Sequence, residues 1–286
     1  MRRILLFAAA AVCLLCLQAP AQAMTVTPTN DANVLVNAIL GSGVNIISSS
    51  YTGASDSSGT FTGAAGAIGI NSGIILTNGQ AILAEGPNDQ PSAGRDNGLG
   101  GTPQLDALSG GDTFDASTLT ITFTSTTDNL FFNFVFASEE YNQYVGSFND
   151  VFGFFLDGVN IALLPDNSPV SINNVNLTKN SDKYINNSVT SGSDGPVVAV
   201  PKDTQYDGFT TVLSAQALGL GAGEHTISLQ IADALDHVLD SGVFIQGGSF
   251  SGDPTGPTAT PEPGTMILLG SGLVGFIASR RRRTKS

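Results

Sequence analysis

Phenylalanine recurs at every second position in two stretches, Phe132, Phe134 and Phe136, then Phe152 and Phe154 followed by Leu156. Successive side chains of an extended strand point to opposite faces, so a two-residue period gathers these rings on one side of a strand. The same period relates Ile121 and Phe123, which alternate with Thr120, Thr122 and Thr124, and it returns at Ile227, Leu229 and Ile231. Gly, Asn, Asp and Ser separate the stretches. Asp157-Gly158, between Phe155-Leu156 and Val159-Asn160-Ile161, is the dipeptide of a two-residue hairpin. Many short strands without intervening helices argue against a parallel α/β sheet. They predict an all-β fold, an antiparallel β-sandwich of jelly-roll-like or lectin-like form with the Phe-rich strands as its core. One short N-terminal helix precedes it. Asn30 or Asp31 caps a segment carrying Val34, Leu35, Ala38 and Ile39 on one face, and Gly41 stops it.

The two ends of the chain depart from this pattern. Arg2 and Arg3, an apolar run from Ile4 to Leu17, and the small residues of Ala21-Gln22-Ala23 follow the order of a secretory signal peptide. Residues 1–23 are therefore expected to direct Sec-dependent export and to be cleaved at the Ala-x-Ala site formed by Ala21 and Ala23, so that the mature chain starts near Met24. Both cysteines, Cys13 and Cys16, lie inside this segment, and Val12 and Leu15 stand where lipidation favours a small residue. The mature chain has no disulfide, thiolate metal site or cysteine nucleophile to draw on. At the other end, residues 252–263 are rich in Gly, Pro and Thr and read as an extended linker. Pro261-Glu262-Pro263 then leads into the uncharged segment 265–279, which contains Met266, Leu268, Leu269, Val274 and Phe276. As a hydrophobic helix this segment reaches only about 22 Å, less than the roughly 30 Å hydrocarbon core, so it is a marginal membrane anchor. Arg280, Arg281, Arg282 and Arg283 follow it and belong on the cytoplasmic side by the positive-inside rule.

Between Met24 and Pro263 the only basic residues are Arg95, Lys179, Lys183 and Lys202, against all 24 acidic residues, a net charge of −20. Such a surface repels nucleic acid and anionic lipid and favours solubility or divalent cations. Two acidic groups stand out, Glu139, Glu140 and Asp150 in one region and Asp233, Asp236 and Asp240 in another. Calcium takes six to eight hard oxygen ligands, and loops at strand ends of a sandwich can gather them from distant sequence, so these regions are expected to meet and bind Ca2+. Ordinary loop acidity is the plainer reading of the same residues. A glycosidase pair is a further option. Successive strand residues diverge, so Glu139 and Glu140 cannot flank one glycosidic bond, and either needs Asp150 or Asp233 as its partner. His225 and His237 are the only histidines, which excludes a multi-histidine zinc site and leaves them as solvated loop residues. In Gly219-Leu220-Gly221-Ala222-Gly223, Glu224 occupies the last glycine position of a dinucleotide fingerprint, so the run reads as a hairpin turn.

The Pro-Glu-Pro motif, hydrophobic segment and basic terminus of residues 261–286 together resemble a PEP-CTERM sorting signal. That resemblance implies processing by an exosortase-type membrane protease in a Gram-negative, exopolysaccharide-making bacterium, with anchoring by the C-terminus and release to the cell surface or matrix after processing. Phe134-Val135-Phe136-Ala137-Ser138-Glu139-Glu140-Tyr141, followed by Phe148-Asn149-Asp150-Val151-Phe152-Gly153-Phe154-Phe155, is similar to the signature of the choice-of-anchor L family. Blocks at Val44 to Thr77 and from Tyr206 to Phe244 extend the similarity, so residues 24–251 are expected to form that domain. The family name reflects similar domains carrying different surface-attachment signals, and it implies no activity. The resulting expectation is a non-catalytic exported surface or extracellular-matrix protein, contacting exopolysaccharide or another cell-surface component. A secreted carboxylate-dependent glycoside hydrolase is the alternative.

Overall fold

The computed structural model describes residues 23–90, 92–189 and 195–256. Ala21, Pro261-Glu262-Pro263, and the hydrophobic segment with Met266, Leu268, Leu269, Val274, Phe276 and Arg280 to Arg283 lie outside the described residues. Among the described residues no helix is long and apolar enough to cross a membrane. In chain order the strands are β1 (Thr25–Pro28), β2 (Val44–Thr52), β3 (Ser58–Thr62), β4 (Ser72–Thr77), β5 (Thr113–Ser125), β6 (Asn129–Ser138) and β7 (Val151–Leu156). They continue with β8 (Val159–Asn160), β9 (Tyr184–Asn186), β10 (Gly208–Thr210), β11 (Leu213–Leu218), β12 (His225–Ala234) and β13 (Ser241–Gln246). Among the described residues three short α-helices, α1 (Ala32–Ile39), α2 (Ala65–Ile68) and α3 (Pro103–Ser109), and two 3-10 turns, Ala81–Ala84 and Ser181–Lys183, accompany them.

The strands form two antiparallel sheets. The larger runs β1-β3-β4-β13-β6-β10-β9, with β11 also paired to β6, and the smaller runs β2-β5-β12-β7-β8. Between them lies the core expected from the period of two. Phe132, Phe134 and Phe136 of β6 meet Phe152 and Phe154 of β7, with ring centroids 5.0 Å apart for Phe132–Phe154 and 5.1 Å for Phe134–Phe154, both edge-on, the favoured aromatic geometry. Leu119, Ile121, Phe123, Ile227, Leu229 and Ile231 complete the same buried layer.

The larger sheet is also covered on its other face. Val135 and Ala137 of β6 join Ile75, Phe244, Phe61, Ile68, Tyr206 and Phe209 in a second apolar cluster. A strand buried on both sides has no polar face to show, hence the nearly continuous apolar run from Phe134 to Ala137. On the outside of the smaller sheet, Leu105 of α3 covers Val151, Phe155 and Ala232. Helix α3 was not anticipated, although Thr102 as N-cap, Pro103 in the first turn and Gly110 at the C-cap mark it.

Three local expectations are corrected. In α1, Asp31 is the cap, accepting from Asn33 N at 2.9 Å, but the buried stripe is Leu35, Val36 and Ile39, and Val34 is 45% exposed. The glycine run after β11 is no hairpin: β11 pairs with β6 in the larger sheet and β12 lies between β5 and β7 in the smaller, so Gly219, Gly221 and Gly223, all with positive φ, turn the chain from one sheet to the other. His225 is not a solvated loop residue but the first of β12, with Nδ1 2.7 Å from Asp157 Oδ2. That contact raises the histidine's pKa; for Asp157, desolvation is the largest single influence and raises its pKa, but the Thr226 backbone N–H and His225 together outweigh it and lower it. Asp157-Gly158 forms the expected two-residue turn, with Leu156 paired to Val159 and φ of 48° and 86°.

Phe134→Ala, which removes a fully buried ring, should cost about 3–5 kcal/mol in urea denaturation, and Thr122→Ala on the outer face of the smaller sheet less than about 0.5 kcal/mol.

Candidate metal centre

Strand register brings five acids to one place. Ser138 at the end of β6 pairs with Ser241 at the start of β13, and Gly242 pairs with Thr77 at the end of β4. The next residues along those chains, Glu139, Asp240 and Asn78, therefore leave the larger sheet at the same end. In the smaller sheet Ala232 pairs with Val151, which places Asp233 and Asp150 side by side. Glu139 and Glu140 lie past the end of β6 in a turn, so strand alternation does not separate them, and both are buried.

The five form one connected cluster. Asn78 is its hinge: its carboxamide Nδ2 donates to Asp150 Oδ2 at 2.9 Å and also to Asp233 Oδ1, and its Oδ1 accepts the Ser241 N–H at 2.7 Å. One amide thus joins the two sheets. Glu140 Oε2 accepts the Asp150 N–H at 3.1 Å, and Asp150 Oδ1 accepts that of Ala234 at 3.2 Å. The Arg95 N–H lies 3.0 and 3.1 Å from the two carboxylate oxygens of Asp240. That carboxylate sits where the side chain of residue 79 would be, since a Cβ on Gly79 would fall 1.3 Å from Asp240 Oδ2.

Two oxygens in the cluster have no donor. Glu139 Oε1 and Asp233 Oδ2 are buried without a hydrogen-bond partner, on residues that are 2% and 0% exposed. Among the described residues no lysine or arginine side-chain nitrogen lies within 4.0 Å of any of the five carboxylates. The Arg95 guanidinium is instead 3.9 Å from Asp56. Buried carboxylates of this kind ordinarily carry a paired charge or a full set of donors.

Titration follows from that environment. Burial, then the charge of Asp207, pushes Glu139 up to about 9. Burial pushes Asp240 up to about 7 against the backbone donors that favour its charged form, led by Arg95 N–H. Glu140, Asp150 and Asp233 are raised as well, each first by burial; Glu140 and Asp233 are raised further by the charge of Asp150. Asp207, which accepts from Asn88 Nδ2 at 2.8 Å, is raised to about 6 by burial.

Asp236, the sixth expected ligand, stands at the rim. It is partly exposed on the loop after β12, accepts the Val238 N–H at 3.3 Å, and lines a cavity with Glu140. Two contributors were missed from sequence. Asn78 carries no charge, so nothing in composition or period singles it out. Asp115 lies inside the strand β5, where an acid reads as an outward residue, but is 1% exposed and adds to the charge felt by Asp233 and Asp240. Asp115 accepts the Asn97 and Leu99 N–H groups at 3.0 and 2.6 Å, and its Oδ2 is 3.4 Å from His237 Nδ1. His237 lies on the loop as expected, its side chain 36% exposed, and also faces Asp115 and Asp96, the three offering ligand atoms within 4.8 Å of one another, with its ring 4.2 Å from that of Phe114.

Fold and site together define an acidic all-β domain whose strand-end loops converge on buried oxygen donors. The chain belongs to the choice-of-anchor L domain family, whose model matches residues 24–251, and residues 259–283 match the PEP-CTERM protein-sorting motif. That motif marks an exported Gram-negative surface protein held at the membrane by its C-terminus and handled by exosortase-type machinery. No curated protein and no solved structure matches the chain.

A carboxyl group with a raised folded-state pKa holds its proton more tightly folded than unfolded, so it contributes stability at low pH and loses it as pH rises through the folded value. In chelator, thermal unfolding midpoints should therefore fall as pH climbs from about 5 to about 9, through the raised values of Asp240 and Glu139. Asp240→Asn should flatten the lower part of that slope.

Proposed function

We propose that this is a non-catalytic surface module whose acidic strand-end cluster holds calcium and through it engages an exopolysaccharide or another cell-surface component. The observation that carries the reading is the pair of donorless buried oxygens, Glu139 Oε1 and Asp233 Oδ2, within a five-carboxylate cluster contacted by no lysine or arginine side chain among the described residues. A divalent cation would supply the positive charge the acids lack; among the described residues only Asp96, Asp115 and His237 already hold three ligand atoms within 4.8 Å of one another, so binding at the five acids requires their oxygens to draw together. All candidate donors are hard oxygens contributed from several loops, which suits the six to eight ligands and irregular geometry of calcium better than the strict octahedron of magnesium. Carboxylates bind the metal only when ionised, so the cation competes with the protons that burial otherwise retains.

Calcium bound only to the folded state at a hundred times its Kd should stabilise it by about 2.7 kcal/mol, or roughly 5–10 °C in midpoint for a domain of this size. Thermal unfolding of the full chain in detergent, in calcium and in chelator, reads this directly. Asp150→Asn and Asp233→Asn should each abolish most of the shift. An identical midpoint in calcium and chelator would return the acids to a protonated structural cluster. The same measurement across pH gives a further expectation: calcium should remove most of the loss of stability seen in chelator between about pH 5 and 9.

A further inference from the structure

Two acids with no basic partner hold the first residues of the domain. The Met24 N–H donates to Asp203 Oδ2 at 3.0 Å, and the Val26 N–H donates to Glu85 Oε1 at 2.6 Å. Among the described residues neither acid forms an ion pair with a lysine, arginine or histidine. We propose that the Ala23–Met24 peptide bond is the processing site of this chain and that the α-ammonium freed there docks on Asp203, so that the mature N-terminus is the counter-ion this acid lacks.

Burial changes at that bond. Ala23 is exposed, whereas Met24 is 4% exposed and belongs with Val26, Phe61, Ala81 and Ala84 to the second apolar cluster. β1 follows at once as an edge strand of the larger sheet, with Thr25 paired to Thr62 and Val26 to Phe61. Strand pairing and side-chain burial together therefore fix the position of the Met24 nitrogen. Asp203 is fixed as well. A Cβ on Gly86 would fall 2.6 Å from its Oδ1, and the adjacent Thr204 is bridged to Glu85 and donates its hydroxyl to Ala84 O at 2.9 Å. Hydrolysis adds one water across the bond: the C–N bond breaks, the Ala23 carbonyl carbon takes the hydroxyl and departs as a carboxylate, and the Met24 nitrogen becomes an ammonium with three N–H donors. One donor keeps the direction of the existing bond to Asp203. A hydrogen bond with charge on one side thus becomes an ion pair with charge on both. In a domain of net charge −20 the new positive charge also lies where no lysine or arginine stands against the neighbouring acids. The last contact of β1 is then completed only after export and cleavage, and the mature fold is more stable than that of the precursor. This docking is independent of any cation at the strand ends.

Mass spectrometry of the chain exported by a Gram-negative host should give Met24 as the N-terminal residue; a different first residue overturns the proposal. Ala23→Phe places a bulky side chain at a small-residue position of the cleavage site and supplies the uncleaved precursor for comparison. In detergent, Asp203→Asn should lower the thermal midpoint of the mature chain by about 1–4 °C, and that of the Ala23→Phe precursor by clearly less. Glu85→Gln is the control. The Val26 N–H is a peptide amide in both forms, so this substitution should shift the two alike. At pH 7, acylation of the Met24 amine should be severalfold faster in Asp203→Asn than in the unsubstituted mature chain, because a paired ammonium holds its proton. An equal effect of Asp203→Asn on mature chain and precursor, or an unchanged amine reactivity, would leave Asp203 an ordinary acceptor of an amide and overturn the docking.

Discussion

Five buried carboxylates gather where the two sheets end, and no lysine or arginine side chain among the described residues forms an ion pair with them. Everything at that end of the molecule is arranged around this constraint. Asn78 spends its two donor directions on Asp150 and Asp233, backbone amides of Ala93, Arg95 and Asp150 point at Glu139, Asp240 and Glu140, and Gly79 gives up its side-chain space to Asp240. An isolated buried carboxylate is expensive, so such a cluster persists only as protonated acids or around a counter-ion. The fold without an ion is then tuned to acidic surroundings, and the fold with one to neutral surroundings.

The rest of the sandwich is built to hold that junction rigid. β6 lies at the centre of the larger sheet, apolar on both faces, and carries Glu139 and Glu140 immediately beyond its last residue. β12 occupies the corresponding middle position in the smaller sheet and carries Asp233 near its end, at a register shift against β5 between Ile231 and Asp233. Asp233 continues the inward alternation of Ile227, Leu229 and Ile231, and the extra residue of the shift lies on β5 between Phe114 and Ser117. With no cysteine beyond Cys16, the domain depends for this rigidity on aromatic packing and strand pairing alone.

Much of this was legible from side-chain period. Phe132, Phe134, Phe136, Phe152 and Phe154 alternate and form the inter-sheet core, and Asp157-Gly158 turns as such dipeptides do. Period fails where a residue's surroundings come from another part of the chain. Val34 looks as apolar as Leu35, and only the position of the sheet beneath α1 decides which is covered. The glycine run at 219–223 reads the same whether its flanking strands pair with each other or join different sheets. Asp115 and Asn78 were hidden for a related reason: an acid within a strand and an amide within a turn are ordinarily exposed, and their surroundings come from other segments, 16 to 122 residues away for Asp115 and up to 163 for Asn78. Conversely, Glu139, Glu140, Asp150, Asp233 and Asp240 were visible because acids flanking apolar strands stand out in composition, although only register shows that they converge.

The departure of the chain from the sandwich has its own consequence. Ser251 exchanges backbone hydrogen bonds with Phe131, at 2.8 and 3.0 Å, and the Asn133 carboxamide holds the Thr255 carbonyl at 2.9 Å, all near the beginning of β6. The acids stand at its other end, about 23 Å away at roughly 3.3 Å per residue. Tension applied through the C-terminus therefore enters the fold a full strand from the carboxylates and is taken up by backbone pairing in shear. The tether can be cut, lengthened or exchanged for a different one without disturbing the working end, which makes the two halves of the design mechanically independent.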